Sequence, residues 1–445
     1  MNTSDDLRRQ LGRTAAERRS SETPVVSANR PPKGATGDRR RRSERPDHGS
    51  TPGHRPARRV PSVTAALRPA DHPRPARSST SRSCAFDRHR IRVGAVVTSP
   101  LLAGWDRLAR LVPGPNEVAA RVLPQGIPLV RDEFLARTGL FRTALDPDAT
   151  PGDPGLFGPD SVTWSVVGHV SVAIAGLRAA LLQTLSVPVP TAVDSTGAFY
   201  DDFMGRVGRT GAFVQAQNLG SLDEVHRSAR RVRALHRRIR GVGRDGTEFD
   251  ATDPHQTAWV SVTLTESFLV AAERFGPGRL GRADADAFVR QQSTHAALLD
   301  VRVDIDEVFA DPDQRAALQA GTLPLQLIEE GELPTTYDQL RATMRAWTDE
   351  LSVSRLTRAL LDGTVRLTHV DGPAHTVGRA FVLATLATIP DDWHELVAPG
   401  SNRLVERLAA ESVQVPLATL HALIGELPSA RAARARAAQV CATAT

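Results

Sequence analysis

The stretch SLDEVHRSARRVRALHRRIRG, Ser221 to Gly241, decides the fold class. Ser221 followed by Glu224 is the capping-box pattern that opens a helix, and Gly241 is a natural helix stop. Val225, Ala229, Val232, His236 and Ile239 alternate steps of four and three residues, which puts them on one helical face. The other faces are crowded with arginine, so the apolar stripe is the buried side. His236 is therefore predicted to point inward, where an imidazole needs a partner.

Spacing alone leaves that partner open. It is either a backbone carbonyl or a water, or else a metal, for which haem iron is the usual single-histidine case. On a continuous helix Arg233 and Arg240 flank His236, roughly 60° and 40° round from it. From there they could pair with haem propionates, or simply form a solvated basic face. Upstream, DDFMGRVGRTGAFV (Asp201 to Val214) places Arg206, Thr210 and Phe213 on a common helical face and repeats glycine at 205, 208 and 211. Each glycine costs a helix about 1 kcal/mol relative to alanine. The segment reads either as a loop or as a helix pressed against something flat. Arginine and threonine on that face could hydrogen-bond a bound oxygen species.

These residues carry a resemblance. Phe157-Gly-Pro159, the Leu181-Leu-Gln183 run ending at Pro188, Arg206-x-x-Arg209-Thr210, Arg233-x-x-His236-x-x-x-Arg240-Gly241 and the block from Gly246 through Asp253-Pro254 to Trp259-Val260 occur in this order. Leu333-Pro334 and Ile389-Pro390 continue the series. Together they resemble the catalytic domain of the MpaB-type oxygenases and the latex-clearing protein rubber oxygenases, over roughly residues 130 to 425. The resemblance implies an all-α fold, one large multi-helix domain, and a b-type haem whose iron takes His236 as its axial ligand. Arg206 and Thr210 would lie on the distal side, and Arg233 or Arg240 near the propionates. It also implies an oxidoreductase that uses dioxygen on a hydrophobic small molecule, an isoprenoid-like alkene or another lipophilic metabolite.

The chain departs from the family pattern in places. Arg209 stands where the rubber oxygenases have lysine, and a guanidinium cannot ligate iron as an amine can. Ser186-Val187-Pro188 and Trp259-Val260-Ser261 each lack a histidine common in the family, and Asp194 is only the carboxylate nearest in sequence to a catalytic base. A helical binding or scaffold protein that kept the fold without the chemistry is the alternative reading.

Charge divides the chain. Residues 1–92 hold 22 Lys and Arg against 9 Asp and Glu, and the remainder 34 against 41, so +13 and −7 make up the formal +6. The first 92 residues are rich in Pro, Ser and Gly with Phe86 the sole aromatic, and they are expected to form a disordered basic extension. Residues 93–428 then form the helical oxygenase-like domain and 429–445 a fraying C-terminal tail. The domain is mildly acidic, so no nucleic-acid partner is expected for it. Cys84 and Cys441 make no disulfide framework, polar residues follow Met1 at once, and no apolar run is long enough to span a bilayer. A cytoplasmic location is the expectation.

Beyond residue 92 the periodicity is helical nearly throughout. An apolar helix is predicted over 161–185, interrupted by His169 and Arg178, with His169 the second candidate for an iron ligand. Asp253-Pro254 opens the next helix. Others are predicted over 282–299, 336–362, 376–388, 400–410 and 415–426. Thr364 to Val370 is the one strand candidate. Gly241-Val-Gly243-Arg-Asp-Gly246 is a literal G-x-G-x-x-G, but it follows a helix rather than a strand, so a dinucleotide site is excluded by context. Asp300, Asp304 and Asp306 lack the spacing of a calcium loop and read as a solvated helix start. Neither H-E-x-x-H nor E-x-x-H occurs, which argues against a zincin and a di-iron site.

Overall fold

The computed structural model describes residues 114–123, 126–138, 141–196, 203–366 and 373–439. The basic segment 1–92, both cysteines and residues 367–370 of the strand candidate lie outside them. The described residues are all-α apart from one short hairpin. In chain order the first helices are α1 (Pro115–Val122), α2 (Pro128–Thr138), α3 (Val162–Val167), α4 (Val172–Gln183), α5 (Pro188–Ser195), α6 (Phe203–Leu219) and α7 (Leu222–His236). The hairpin β1 (Arg240–Val242) and β2 (Glu248–Asp250) leads into α8 (Pro254–Phe275), α9 (Arg282–Ala297), α10 (Ile305–Ala310), α11 (Pro312–Ala320) and α12 (Gln326–Glu329). The chain continues with α13 (Tyr337–Ala346), a 3-10 turn at Trp347–Glu350, α14 (Arg355–Arg366), α15 (Pro373–Leu386), α16 (Asp391–Val397), α17 (Arg403–Ile424) and α18 (Pro428–Ala438).

The core is centred on α4 and α8, which pack against each other and bury Ile174, Leu181 and Leu182 with Trp259, Val262, Phe268 and Phe275. Trp259 also stacks on Trp393 and lies against Trp347, with ring centroids 5.8 and 5.2 Å apart. Arg178 interrupts the apolar pattern of α4 because it has a partner inside. Its guanidinium is fully buried, forks onto the equally buried Glu266 of α8, and donates to Ser267 Oγ at 2.9 Å and Thr388 O at 3.3 Å. Arg341 of α13 adds a second cation, 3.0 Å from Glu266 Oε1.

Several predicted boundaries move, each for a visible reason. The 161–185 helix is broken at Gly168–Ser171, where α18 comes so close that a Cβ on Gly168 would meet Ala430 Cβ at 2.8 Å. There Leu427 N–H bonds Gly168 O at 2.8 Å. The same contact shows that residues 428–438 are a packed helix rather than a fraying tail. Ala430 and Ala433 are fully buried, and Arg434 and Arg436 donate to Pro159 O and Leu219 O. The two helices expected at 400–410 and 415–426 are one, because Pro416 sits on the exposed side and removes only its own donor. Thr364 to Arg366 of the strand candidate form the last turn of α14.

Gly241, Gly243 and Gly246 shape the hairpin instead. Arg240 pairs with Asp250 and Val242 with Glu248, and Gly243 N–H bonds Thr247 O at 2.7 Å. Asp245 Oδ1 accepts from Thr247 N–H at 3.0 Å, and Gly246 takes φ +84°, a glycine conformation. The stretch Arg403–Ala438 is long and apolar enough by composition to cross a membrane. It nevertheless holds the buried Glu406, bonded to His394 at 3.0 Å and to Arg403 at 3.1 Å, as a core helix does.

Glu266→Leu leaves Arg178 buried without its carboxylate and is expected to cost about 3–5 kcal/mol, read as a lower urea midpoint. Arg178→Met with Glu266→Leu should recover most of that loss. An unchanged midpoint in the single variant would contradict the structural weight given to the pair.

Candidate functional site

The helices α6 and α7 form an antiparallel hairpin that is fastened at one end and open at the other. The fastened end is the turn Gly220-Ser221. The predicted capping box is present: Glu224 N–H donates to Ser221 Oγ at 3.2 Å and Ser221 N–H to Glu224 Oε2 at 2.8 Å. Glu224 also accepts Asp146 N–H at 2.7 Å, and Leu222 N–H donates to Asp153 Oδ2 at 2.9 Å. The 146–160 loop lies directly on the turn, so closely that a Cβ on Gly155 (φ +68°) would meet Gly220 O at 2.2 Å. Gln217 Nε2 joins the two helices, donating to Val225 O at 3.0 Å and to Ser228 Oγ. Leu219, Val225 and Ala229 are fully buried here.

Away from the turn the inward face opens. Val232 and His236 are half-buried where Val225 and Ala229 are enclosed. With about 1.5 Å of rise per residue, Arg206 and His236 each lie roughly 20 Å along their helices from the turn. The segment around Arg206 is helical, as one of the two sequence readings had it. Arg206 is half-buried, Thr210 is exposed, and a Cβ on Gly208 or Gly211 would meet nothing within 4 Å. Among the described residues, the ring of His236 and the side chains of Arg206 and Thr210 make no hydrogen bond. Burial holds the His236 ring below its ordinary pKa, so it is neutral near pH 7. Burial, and then the neighbouring Arg209, disfavour the charged form of Arg206, which has no carboxylate partner among the described residues. Three large apolar side chains are exposed at this end: Val207, Leu235 and Val242.

The two arginines expected near the propionates lie in different settings. The helix stops at His236, with Arg237 as its cap, because the chain turns there into β1. Arg240 is therefore not on the helical flank of His236. It is exposed on the hairpin opposite Asp250, and it lines a cleft of about 620 Å³ with Pro188, Phe249 and His255. Arg233 is buried, and its guanidinium is held by main chain: NH2 donates to Val301 O at 3.2 Å and Val303 O at 2.5 Å, and NH1 to Leu298 O at 3.4 Å. Its expected pairing with a propionate gives way to this clamp. The sequence held no signal for it, since the acceptors are backbone carbonyls. Asp194 lies half-buried near the end of α5, on the helix that packs under the hairpin. The three aspartates behave unequally: Asp304 caps α10, whereas Asp300 is buried and bonded to Arg302 at 2.7 Å.

The described residues contain no group of three or more His, Cys, Asp or Glu able to hold a bare metal ion. Residues 164–415 match the family model described as "ER-bound oxygenase mpaB/B'/Rubber oxygenase, catalytic domain". The match spans more than half of the chain, and the chain belongs to this family. Its function is accordingly of the oxygenase type, an oxidoreductase in general terms. No curated protein and no solved structure matches the chain.

His169, the second ligand candidate, is placed otherwise. It sits in the break between α3 and α4, buried, with Nδ1 accepting Ser171 N–H at 3.0 Å and 3.0 Å from Ser171 Oγ. Its ring stacks on the buried ring of His421, centroids 4.5 Å apart. Burial, and then the neighbouring His421, push its pKa down to about 3, and burial lowers His421 as well. The unfolded chain therefore takes up a proton near pH 6.5 that the folded chain refuses until about pH 3. The stability from the neutral pair is complete above pH 6.5 and falls as the pH drops through that window. His169→Asn is expected to flatten the loss of stability between pH 6.5 and 3, measured by urea unfolding at several pH values. Parallel curves for variant and wild type would contradict the assignment.

Proposed function

We propose that this chain is a haem-dependent oxygenase acting with dioxygen on a hydrophobic small molecule. In this reading His236 would hold the iron, and Arg206 and Thr210 would be the hydrogen-bond donors for bound oxygen. The observation that carries it is a set of three polar side chains, two on α6 and one at the end of α7, that make no hydrogen bond among the described residues. The half-buried ring of His236 makes no hydrogen bond among the described residues, which leaves its nitrogen open to a partner from outside the chain. The donor set suits a b-type haem: one neutral histidine for the iron, and two hydrogen-bond donors on the other helix. Gly208 and Gly211 leave room for a flat group beside α6.

When bound, the haem supplies the binding and activation of oxygen. The chain's own residues do the rest. The neutral ring of His236 offers a nitrogen lone pair at physiological pH. Arg206 and Thr210 would donate hydrogen bonds to an oxygen species held there. Arg240, exposed on the hairpin edge, is the arginine left to meet a carboxylate of the cofactor. Val207, Leu235 and Val242 supply an apolar rim suited to a lipophilic substrate such as an isoprenoid alkene. A scaffold that kept the fold without the chemistry is the second reading, favoured by Arg209 where the rubber oxygenases have lysine.

His236→Ala is expected to abolish the Soret band of protein purified with ample haem, because no other side chain on that face can replace a nitrogen ligand. Arg206→Ala and Thr210→Ala should keep the band and lose about 10²–10³-fold in turnover of an isoprenoid alkene, followed as oxygen uptake. Haem retained in a destabilised His236→Ala would remove the ligand assignment. Complete loss of haem in Arg206→Ala would remove the distal one.

A further inference from the structure

The clamp formed by Arg233 has a consequence for His236. We propose that Arg233 is a positioning residue, which fixes the last turn of α7, and with it the ring of His236, against the turn between α9 and α10. This rests on the reading of His236 as the axial ligand.

His236 is the final residue of its helix, where a chain ordinarily frays. No hydrogen bond from its own ring holds it among the described residues. Its main chain is tied on the far side by Ile239 N–H to His236 O at 2.9 Å, and in the turn before it Arg233 is the residue with a built anchor. A buried cation needs compensation, and here it comes from the carbonyl of Leu298, the C-cap of α9, and from those of Val301 and Val303 in the turn that follows. The charges of Asp300, Asp304 and Asp306 lie around it.

The receiving surface is itself held rigid. Val301 O and Val303 O flank Arg302, whose guanidinium forks onto Asp300 at 2.7–3.0 Å and onto Glu330 at 2.9 Å. Earlier turns of α7 are tied to the same region. His226 Nε2 is 2.6 Å from Asp306 Oδ1 and its ring stacks on Phe309, and Arg230 reaches Asp306 at 3.3 Å. Residues 226, 230 and 233 thus anchor one flank of α7 to the α9–α10 turn, while the neighbouring flank presents His236. A lysine at 233 would keep the charge but not the fork that spans two carbonyls.

The test uses full-length protein with Arg233→Lys as the primary variant and Arg233→Gln as the second. Hydrogen exchange is measured on cofactor-free protein over residues 232–240. Haemin and haemin dimethyl ester are then titrated into each variant. The expected results are exchange at least tenfold faster in that segment alone, and affinity lower by roughly 10–100-fold for haemin and for its ester alike. Unchanged exchange would overturn the proposal. So would a loss confined to haemin with the ester unaffected, since that marks a partner for propionate charge. Added imidazole should restore the wild-type ferric spectrum in Arg233→Lys, which a general loss of fold would not allow. The two readings fail separately. Haem retained in His236→Ala removes the ligand reading whatever Arg233 does, and wild-type exchange in Arg233→Lys removes only the positioning role.

Discussion

Two charges with no exposure to water, Arg178 and Glu266, face each other between α4 and α8, and most of the chain is built round them. Each would be expensive to bury alone. Arg178 also donates to Ser267 Oγ and the Thr388 carbonyl, and Glu266 accepts from Arg341, so one contact joins the two central helices, α13 and the segment after α15. The consequence for function is indirect but definite. The start of α8 follows directly on the hairpin that leaves α7, and the end of α4 leads into α5, which supports that hairpin. Fixing α4 against α8 fixes the floor from which α6 and α7 project.

The α6–α7 hairpin concentrates its bonding at the turn. There the capping box, the loop around Gly155 and the guanidinium of Arg436 satisfy nearly every polar group. At the opposite end the polar groups of His236, Arg206 and Thr210 find no partner among the described residues while apolar side chains reach solvent. His236 and Arg206 are half-buried and Thr210 is exposed, so these groups stand open to a partner from outside the chain. The clamp at Arg233 keeps that open end from loosening.

Much of this was legible in the sequence because it depended on local patterns. The capping box at Ser221 and Glu224, the Asp253-Pro254 start of α8 and the inward direction of His236 follow from residue type and spacing. What was not legible depended on contacts between distant segments. The stop of α7 at His236 reflects the pairing of Arg240 with Asp250, and the break at Gly168 reflects the approach of Ala430. Arg233 looked like a partner for a cofactor because its acceptors, three carbonyls some 65–70 residues away, carry no sequence mark. Pro416 and the arginine-rich end misled for a related reason: exposure and packing, rather than propensity, decided both.

The central claim is that the open end of this hairpin holds a haem. The absorption spectrum of the wild-type protein, purified from cells supplied with ample haem and then titrated with haemin, tests it most directly. The account predicts a Soret band that saturates at one haem per chain. A colourless protein that gains no saturable band on titration would contradict it.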